Sequence, residues 1–179
     1  MVEKKFITPK FLTLDIAQQA IALVEGIMLS VGVRHLFHNL DGTLNYHITI
    51  LVPAIESDGP GGCSKWPDYP FKPFVLAQKS GGRKENWTYP FDEIAQCKGL
   101  QLWSDRQDGG TDIKPHLLFS GDTPYWGGVK RDGIVVSCSG FECHIDRWVA
   151  GMVADALIAL AYQAWFESED KKLSANFLI

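Results

Sequence analysis

The chain has 179 residues, of which 46% are hydrophobic and 21% charged, and its formal net charge is -4. This length predicts a single domain over residues 1–179, and the acidic balance argues against a nucleic-acid-binding protein. The N-terminus lacks the apolar centre of a signal peptide, and no run of about 18 apolar residues occurs. We therefore expect a cytoplasmic protein with neither nucleic acid nor membrane as a partner.

The four cysteines and their spacing bear on metal binding and on disulfides. Cys63, Cys97, Cys138 and Cys143 form no C-x-x-C pair, so we expect reduced, mostly buried thiols. Zinc sites usually carry two close-spaced pairs of ligands. Here only Cys138, Cys143 and His144 cluster, and the sequence therefore predicts no metal site.

A helix and two strands are predicted in the first third of the chain. Residues 13–31 carry apolar side chains at helical spacing, with Thr13 as N-cap and Gly32 as the C-terminal stop. Val33–Leu40 and Leu44–Ala54 are predicted to be strands. Asp41-Gly42 between them is a strong hairpin signal, and we interpret His47 in the second strand as a half-buried sheet residue.

The middle of the chain is less regular. Residues 56–73 are rich in glycine, proline and aromatic residues, which excludes long regular elements. We predict a helix over Phe74–Trp87, interrupted by Gly81-Gly82, and a short helix over Phe91–Leu102. Residues 105–115 are interpreted as a polar loop and Leu117–Phe119 as a short strand.

The segment Ser120–Asp146 is the most informative part of the sequence. It is interpreted as a strand opened by Pro124, a tight turn at Asp132-Gly133, a second strand, a Ser139-Gly140 corner and a helix that continues to about Trp165. Helices and hairpins in this order predict an α+β fold, an antiparallel sheet with flanking helices.

The same segment resembles the GlcG/HbpS-like family, often called the haem-degrading domain family. The family pattern is a glycine-rich loop, a proline opening a strand, a D-G turn, a strand ending in S-G, and an aspartate five residues later. Pro124, Asp132-Gly133 and Ser139-Gly140 match it in order, Asp146 follows after FECHI, and Ser120-Gly121 stands where the family has two glycines, so that Ser120 departs from the pattern. Upstream, LAQKSGGRKENW resembles the family's L-A-x-x-K helix, with Lys79 at the lysine.

The resemblance implies a profilin-like fold, assembly into dimers or rings, and a ligand. Family members include haem binders, cobalamin-associated domains and small-molecule pathway proteins, so haem is the cofactor that the resemblance implies. Some members ligate haem through a histidine on the first helix, whereas residues 13–31 contain none. No nucleotide cofactor is expected, because neither a G-x-G-x-x-G motif nor a P-loop is present.

A ligand pocket is predicted where three segments meet. Lys79 and Arg83, four residues apart on the predicted helix, would supply cations for an anionic ligand. The Pro124–Trp126 strand would supply an aromatic wall through Trp126. The corner at Ser139 and Gly140 would expose free helix N–H groups.

Three further residues complete the candidate site. His116 follows a proline in a loop, a position suited to a pocket. His144 and Asp146, at the start of the last helix, are the candidates for acid/base catalysis. Asp146 also has the simpler interpretation of a helix cap.

Two functions remain open at this stage. The first is a small-molecule-binding protein of the GlcG/HbpS-like family that binds or degrades haem. The second is a pathway enzyme acting by acid/base chemistry on a small anionic organic substrate. G-x-S-x-G is absent, so no nucleophile elbow is predicted.

The final helix predicts a second contact surface. One apolar stripe should cover the sheet, and it comprises Val149, Met152, Val153, Ala156, Leu157, Leu160, Ala161 and Ala164. A second side combines Trp148 and Tyr162 with the small residues Gly151 and Ala159. We therefore expect a homodimer or larger homo-oligomer through this side, or coverage of it by residues 60–74.

Overall fold

The fold is built around a five-stranded antiparallel sheet with helices on both faces. The computed structural model describes residues 5–37, 44–57, 70–110 and 114–173. In chain order its elements are β1 (Lys5–Ile7), α1 (Leu14–Met28), β2 (Tyr46–Ser57), β3 (Lys72–Gly81), α2 (Phe91–Trp103), β4 (Gly128–Arg131), β5 (Ile134–Ser139), α3 (Cys143–Glu167) and the short α4 (Glu169–Lys172).

Strand β2 is the centre of the sheet. It pairs with β3 on one side and with β5 on the other, its last three residues pair with β1, and β4 pairs with β5. The predicted α+β fold with an antiparallel sheet and flanking helices is therefore confirmed. The finer statement that the topology is profilin-like stays a prediction.

The alternation of side chains along β2 divides the core into two layers. Tyr46, Ile48, Ile50 and Val52 lie on the face that packs against α1 and α3. Leu51 lies on the opposite face, where Leu102 of α2 contacts it. His47 and Thr49 share that second face by the period of two, so polar side chains are buried beneath α2.

Helix α1 begins as the sequence predicts and ends earlier. The Thr13 hydroxyl accepts a hydrogen bond from the Ile16 N–H at 3.3 Å, which confirms the N-cap. The helix ends at Met28 rather than near Gly32, because residues 30–37 form successive tight turns.

Two predicted strands are wrong, because local turns replace them. Arg34–Leu36, within the predicted strand Val33–Leu40, is a single 3-10 turn that ends with Phe37 buried against Phe141 and Trp148. Pro115–Leu117 is also a 3-10 turn, and Leu118 donates back to the Pro115 carbonyl, so no strand forms over Leu117–Phe119.

The predicted helix over Phe74–Trp87 is wrong, because most of it is strand β3. Nine residues of β3 pair with β2, and these pairings outweigh the helical spacing of the sequence. Gly81 and Gly82 end the strand rather than interrupt a helix. A Cβ on Gly81 would lie 2.0 Å from the Tyr46 ring, and Gly82 has φ +72°.

The central hairpin forms largely as predicted. Asp132 and Gly133 both have positive φ, the geometry of a tight two-residue hairpin turn, and β5 ends at Ser139 before Gly140 at φ +140°. The first strand starts at Gly128 rather than Pro124, because Gly127 at φ +128° turns the chain just before β4.

Helix α3 confirms the predicted long final helix. Within the described part of the chain, it is the one helix whose length and apolar composition would also suit a membrane span, which the sequence analysis did not expect. Val149, Val153 and Leu157 of α3 are buried in the core. One side of α3 therefore packs into the core of the fold.

Two predictions fall on residues outside the described ranges. These are the Asp41-Gly42 hairpin turn and most of the irregular segment 56–73. They stay predictions.

Candidate functional site

A buried ion pair joins α2 to the start of α3. The Lys98 ammonium lies 2.8 Å from Asp146 Oδ2 and donates to the Cys138 carbonyl at 2.9 Å. Asp146 Oδ1 accepts the Phe141 N–H at 3.1 Å, and each of the two charged side chains is about 99% buried, with exposures of 1% for Lys98 and 2% for Asp146. Asp146 thus ties the corner after β5 to α3, but it is not the helix cap that the sequence suggested, because Glu142 is the N-cap residue of α3.

Gly127 makes room for this ion pair at the point where β4 begins. A Cβ at this position would lie 2.6 Å from the Asp146 Cβ and 3.2 Å from the Lys98 ammonium. The pair therefore occupies the space that a side chain on residue 127 would fill, where Lys98 of α2 meets Asp146 of α3. Burial raises the pKa of Asp146 to about 6, while the Lys98 ammonium opposes that rise.

Two of the three segments of the predicted pocket come together. The Gly127 carbonyl accepts the Cys138 N–H at 3.2 Å, and a Cβ on Gly127 would lie 3.0 Å from the Cys143 carbonyl, so the segment with Trp126 lies against the corner that contains Ser139 and Gly140. Ser139 is buried and Gly140 half-buried. Asp146 lies beneath this corner with its hydrogen-bond partners already in place, and its catalytic role stays a prediction.

The third segment lies across β2. Lys79 pairs with Ile48, so it projects to the α1 side, where it lies 3.9 Å from Glu25. Arg83 follows the end of β3 and is exposed, so the two cations do not share a helical face. Gly82 and Gly140 both abut Asn45, which shows that both segments reach the same end of the sheet.

The two other predicted histidines are exposed. His144 lies in the first turn of α3, and His116 lies in the 3-10 turn before Leu118. The next residue, Leu117, accepts a hydrogen bond from Arg106, which in turn pairs with Asp122. Their predicted roles in binding and catalysis stay predictions, and the described residues hold no cluster of three metal-ligating side chains.

A second polar group surrounds the buried His47 on the α2 face of the sheet, and we call it the His47 cluster: His47, Ser80, Trp87 and Asp92. His47 is 5% exposed, and its Nδ1 shares a hydrogen bond of 2.8 Å with the Ser80 hydroxyl on the neighbouring strand. The Trp87 ring stands edge-on to the imidazole and donates its indole N–H to the Gly81 carbonyl.

The His47 cluster is incomplete in its hydrogen bonding. Among the described residues, His47 Nε2 and Asp92 Oδ1 are both buried and have no hydrogen-bond partner. Asp92 Oδ2 is held by the Lys84 ammonium, which also lies over the Trp87 ring, 5.8 Å from its centroid. Native proteins seldom leave buried polar atoms without partners, and exceptions concentrate where a ligand or water binds.

The charges around His47 set its protonation state. Burial lowers the pKa of His47 below the ordinary value, Asp92 works against this decrease, and Lys84 adds to it. The pKa of Asp92 is itself lowered by the hydrogen bond from Lys84. The imidazole is therefore neutral at neutral pH, next to a carboxylate that is ionised.

Sequence reasoning missed the partners of both polar groups. Lys98 lies on α2, and nothing in its local sequence distinguishes it from a surface lysine. His47 was noticed as a sheet residue, but Ser80 was assigned to a helix. The available signal was the polar alternation of His47 and Thr49 in an otherwise apolar strand.

The apolar surface beside α3 contains a groove of about 520 Å³. Its lining residues come from the segment before α1, the β4–β5 hairpin and α3, and they include Phe11, Ile134, Tyr162 and Trp165. Trp148, on the predicted second side of α3, is 40% exposed and stacks on Phe37. Tyr162 is 67% exposed.

No family model, curated protein or solved structure matches this chain. The resemblance to the GlcG/HbpS-like family therefore stays a prediction.

Proposed function

We propose that this protein binds a small anionic organic molecule and acts on it by proton transfer at His47. The observation that carries the proposal is the buried imidazole, with Nδ1 fixed by Ser80 and Nε2 without a partner among the described residues. An unpaired buried polar atom destabilises a fold by about 1–3 kcal/mol. A binding site compensates for that cost when the ligand supplies the partner.

The protonation state supports a role as general base. The lowered pKa of His47 leaves a free lone pair on one ring nitrogen at neutral pH. The strand pairing places Ser80 opposite His47, and the hydrogen bond of 2.8 Å between His47 Nδ1 and the Ser80 hydroxyl holds the ring in one orientation. A base that is neutral, held in place and shielded from bulk water meets the requirements for proton abstraction.

The charge beside the cluster supports an anionic substrate. Arg83 is exposed at the end of β3 and forms no ion pair with another described residue. Lys84, by contrast, is neutralised by Asp92. A guanidinium near the end of β3 is suited to a carboxylate.

Haem binding in the manner of the GlcG/HbpS-like family is the second proposal, and the apolar groove beside α3 favours it. Haem needs an apolar slot and an axial ligand. The described lining of the groove offers Tyr162 and neither histidine nor cysteine. A haem in this groove would therefore depend on Tyr162, and a Soret band lost in Tyr162→Phe is the expected result.

Location and assembly complete the proposed function. Cys97, Cys138 and Cys143 are free thiols, which suits the cytoplasm. The exposed Trp148 and Tyr162 suit a homodimer through α3. Light scattering tests the assembly, since the mass of one chain, 19.9 kDa, at micromolar concentration would contradict it.

Imidazole NMR on the labelled protein tests the acid/base proposal. A panel of small mono-, di-, keto- and hydroxycarboxylic acids is titrated while the ring nitrogens of His47 and His144 are followed. We expect at least one acid to shift His47 and to leave the exposed His144 unchanged. Arg83→Ala should weaken the binding of that acid by about tenfold, which corresponds to about 1.4 kcal/mol of binding free energy. If every acid leaves His47 unchanged, the proposal is wrong.

A further inference from the structure

The serine that contacts His47 differs from the other serines on the α2 face of the sheet. Ser80 is exposed, at the end of a strand that pairs only through β2 among the described strands. Ser137 is buried and donates its hydroxyl to the Ala95 carbonyl, and Ser139 is 4% exposed. Ser80 is thus the one of the three that combines access from solvent with a hydrogen bond to an imidazole.

We propose that Ser80 is a nucleophile activated by His47, that the Asp92 carboxylate stabilises the charged form of the imidazole, and that the substrates are small esters or thioesters that carry a carboxylate. This inference rests on the proposed function and names its substrate class. The cluster would then be a serine–histidine–aspartate arrangement in which Nδ1, rather than Nε2, faces the hydroxyl.

In this assignment, one of the two unpartnered atoms of the cluster is a hydrogen-bond donor, His47 Nε2, and the other is an acceptor, Asp92 Oδ1. When the Ser80 hydroxyl donates to Nδ1, the neutral imidazole carries its proton on Nε2. Nε2–H is then a buried donor without an acceptor, and Asp92 Oδ1 is a buried acceptor without a donor. The negative charge of Asp92 raises the pKa of His47 and so favours its protonated form, although no hydrogen bond joins the two side chains. The Asp92 carboxylate therefore favours this tautomer and stabilises the imidazolium that forms during the reaction.

The reaction has two balanced steps. Ser80 Oγ attacks the carbonyl carbon while its proton moves to His47 Nδ1, and the tetrahedral intermediate expels an alcohol or thiol that takes this proton. The product is an acyl group on Ser80. Water then attacks the acyl carbon and gives its proton to Nδ1, the bond to Oγ breaks, and Oγ regains the proton as the carboxylic acid leaves. Arg83 would hold the substrate carboxylate.

A fluorophosphonate probe tests the nucleophile directly in the wild-type protein. We expect one covalent adduct by intact mass, located on Ser80 by peptide mapping. Ser80→Ala should give none, and Ser120→Ala, at an exposed serine of a turn, should react like wild type. His47→Gln should slow labelling by a factor of about 100 to 10,000, the range for loss of a general base.

Asp92 is tested as a positioning residue by a matched pair of variants. Asp92→Asn should slow labelling at least about tenfold, because the amide no longer fixes the tautomer. Lys84→Met removes the ion pair but keeps the carboxylate, so it should change the rate by less than about threefold. The nitrogen chemical shifts of the imidazole should show that the proton has left Nε2 in Asp92→Asn and that it remains on Nε2 in Lys84→Met.

The outcomes separate this inference from the proposed function. No adduct in wild type, or an adduct on another residue, overturns the nucleophile. If the carboxylic acids still shift the His47 resonances in that case, proton transfer at His47 survives without Ser80. If neither adduct nor shift is seen, both proposals are wrong.

Discussion

The Lys98–Asp146 pair and the His47 cluster differ in how completely their hydrogen bonds are made. The Lys98–Asp146 pair has partners for the ammonium and for both carboxylate oxygens. The His47 cluster has one good hydrogen bond and two buried atoms without partners among the described residues. His47 is shielded from water, as are Lys98 and Asp146, so the burial of the central charged or titratable side chain does not separate the two groups.

This difference teaches how to separate structural from functional polar groups. A complete network rigidifies the fold and has no capacity left for a ligand. An incomplete one destabilises the fold until something binds. The sequence favours Asp146 for catalysis because of its position after the Ser139-Gly140 corner. The hydrogen bonds in the structure favour His47 instead, because its Nε2 has no partner among the described residues.

Replacing Lys98 should have the largest effect on stability. Lys98→Met leaves the buried Asp146 carboxylate without its cation, and we expect a loss of about 3–5 kcal/mol in the free energy of unfolding measured with urea. The control is Lys130→Met, which breaks the exposed pair with Asp105 and should cost less than about 1 kcal/mol. Equal losses in the two variants would contradict the structural role of Lys98.

A substitution at Gly127 should disturb the same pair without touching either charge. Gly127→Ala combines a strained φ of +128° with a Cβ 2.6 Å from that of Asp146, and we expect a loss of about 1–3 kcal/mol. Gly133→Ala has a positive φ but no atom within 4 Å of the new Cβ. If urea unfolding shows that Gly133→Ala is the costlier change, crowding at Gly127 is not important.

The pH dependence of stability should have opposite signs for the two groups. The pKa of His47 is lowered, so its contribution is complete above about pH 6.5 and is lost as the pH falls through the folded value. The pKa of Asp146 is raised to about 6. Its contribution is therefore complete below about pH 4 and is lost as the pH rises through about 6.

Urea unfolding across this pH range measures both signs. The stability of wild type relative to His47→Gln should fall as the pH drops below about 6.5. The stability of wild type relative to Asp146→Asn should rise as the pH is lowered from about 6 to about 4. Each slope is at most about 1.4 kcal/mol per pH unit, the limit for one proton. Two flat difference curves would show that neither group titrates as its surroundings imply.

The smallest expected effect is a gain in stability at the His47 cluster. Replacing the cross-strand pair by His47→Leu with Ser80→Val removes the unpaired nitrogen and adds apolar contact, so we expect about 1 kcal/mol of added stability at neutral pH. Thermal unfolding measures the change. A loss of more than about 2 kcal/mol would mean that the imidazole is a structural element.

Part of the fold was predictable because its signals are local. The Thr13 cap, the Asp132-Gly133 turn and the glycine corner at Gly140 depend on residues adjacent in sequence, and the structure confirms each. β3 was not predictable in this way, since its sequence suits a helix about as well as a strand and only the free edge of β2 decides between them.

The candidate site is harder to predict from the sequence than the fold is. His47 and Ser80 are 33 residues apart, and Lys98 and Asp146 are 48 apart. Neither spacing belongs to a motif, because the contacts depend on strand register and on how helices cross the sheet. A mistaken helix at Ser80 is therefore enough to hide the His47 cluster entirely.

The sequence by itself determined the fold class, the start of α1, the approximate extent of α2 and the central hairpin, because caps, turns and apolar periodicity act over a few residues. Only the tertiary structure decided which polar residues are buried and with what partners. Burial depends on every layer that packs above a side chain. The free energy of a buried polar atom then depends on whether a partner from a distant segment arrives, as it does for Asp146 and does not for His47 Nε2 among the described residues.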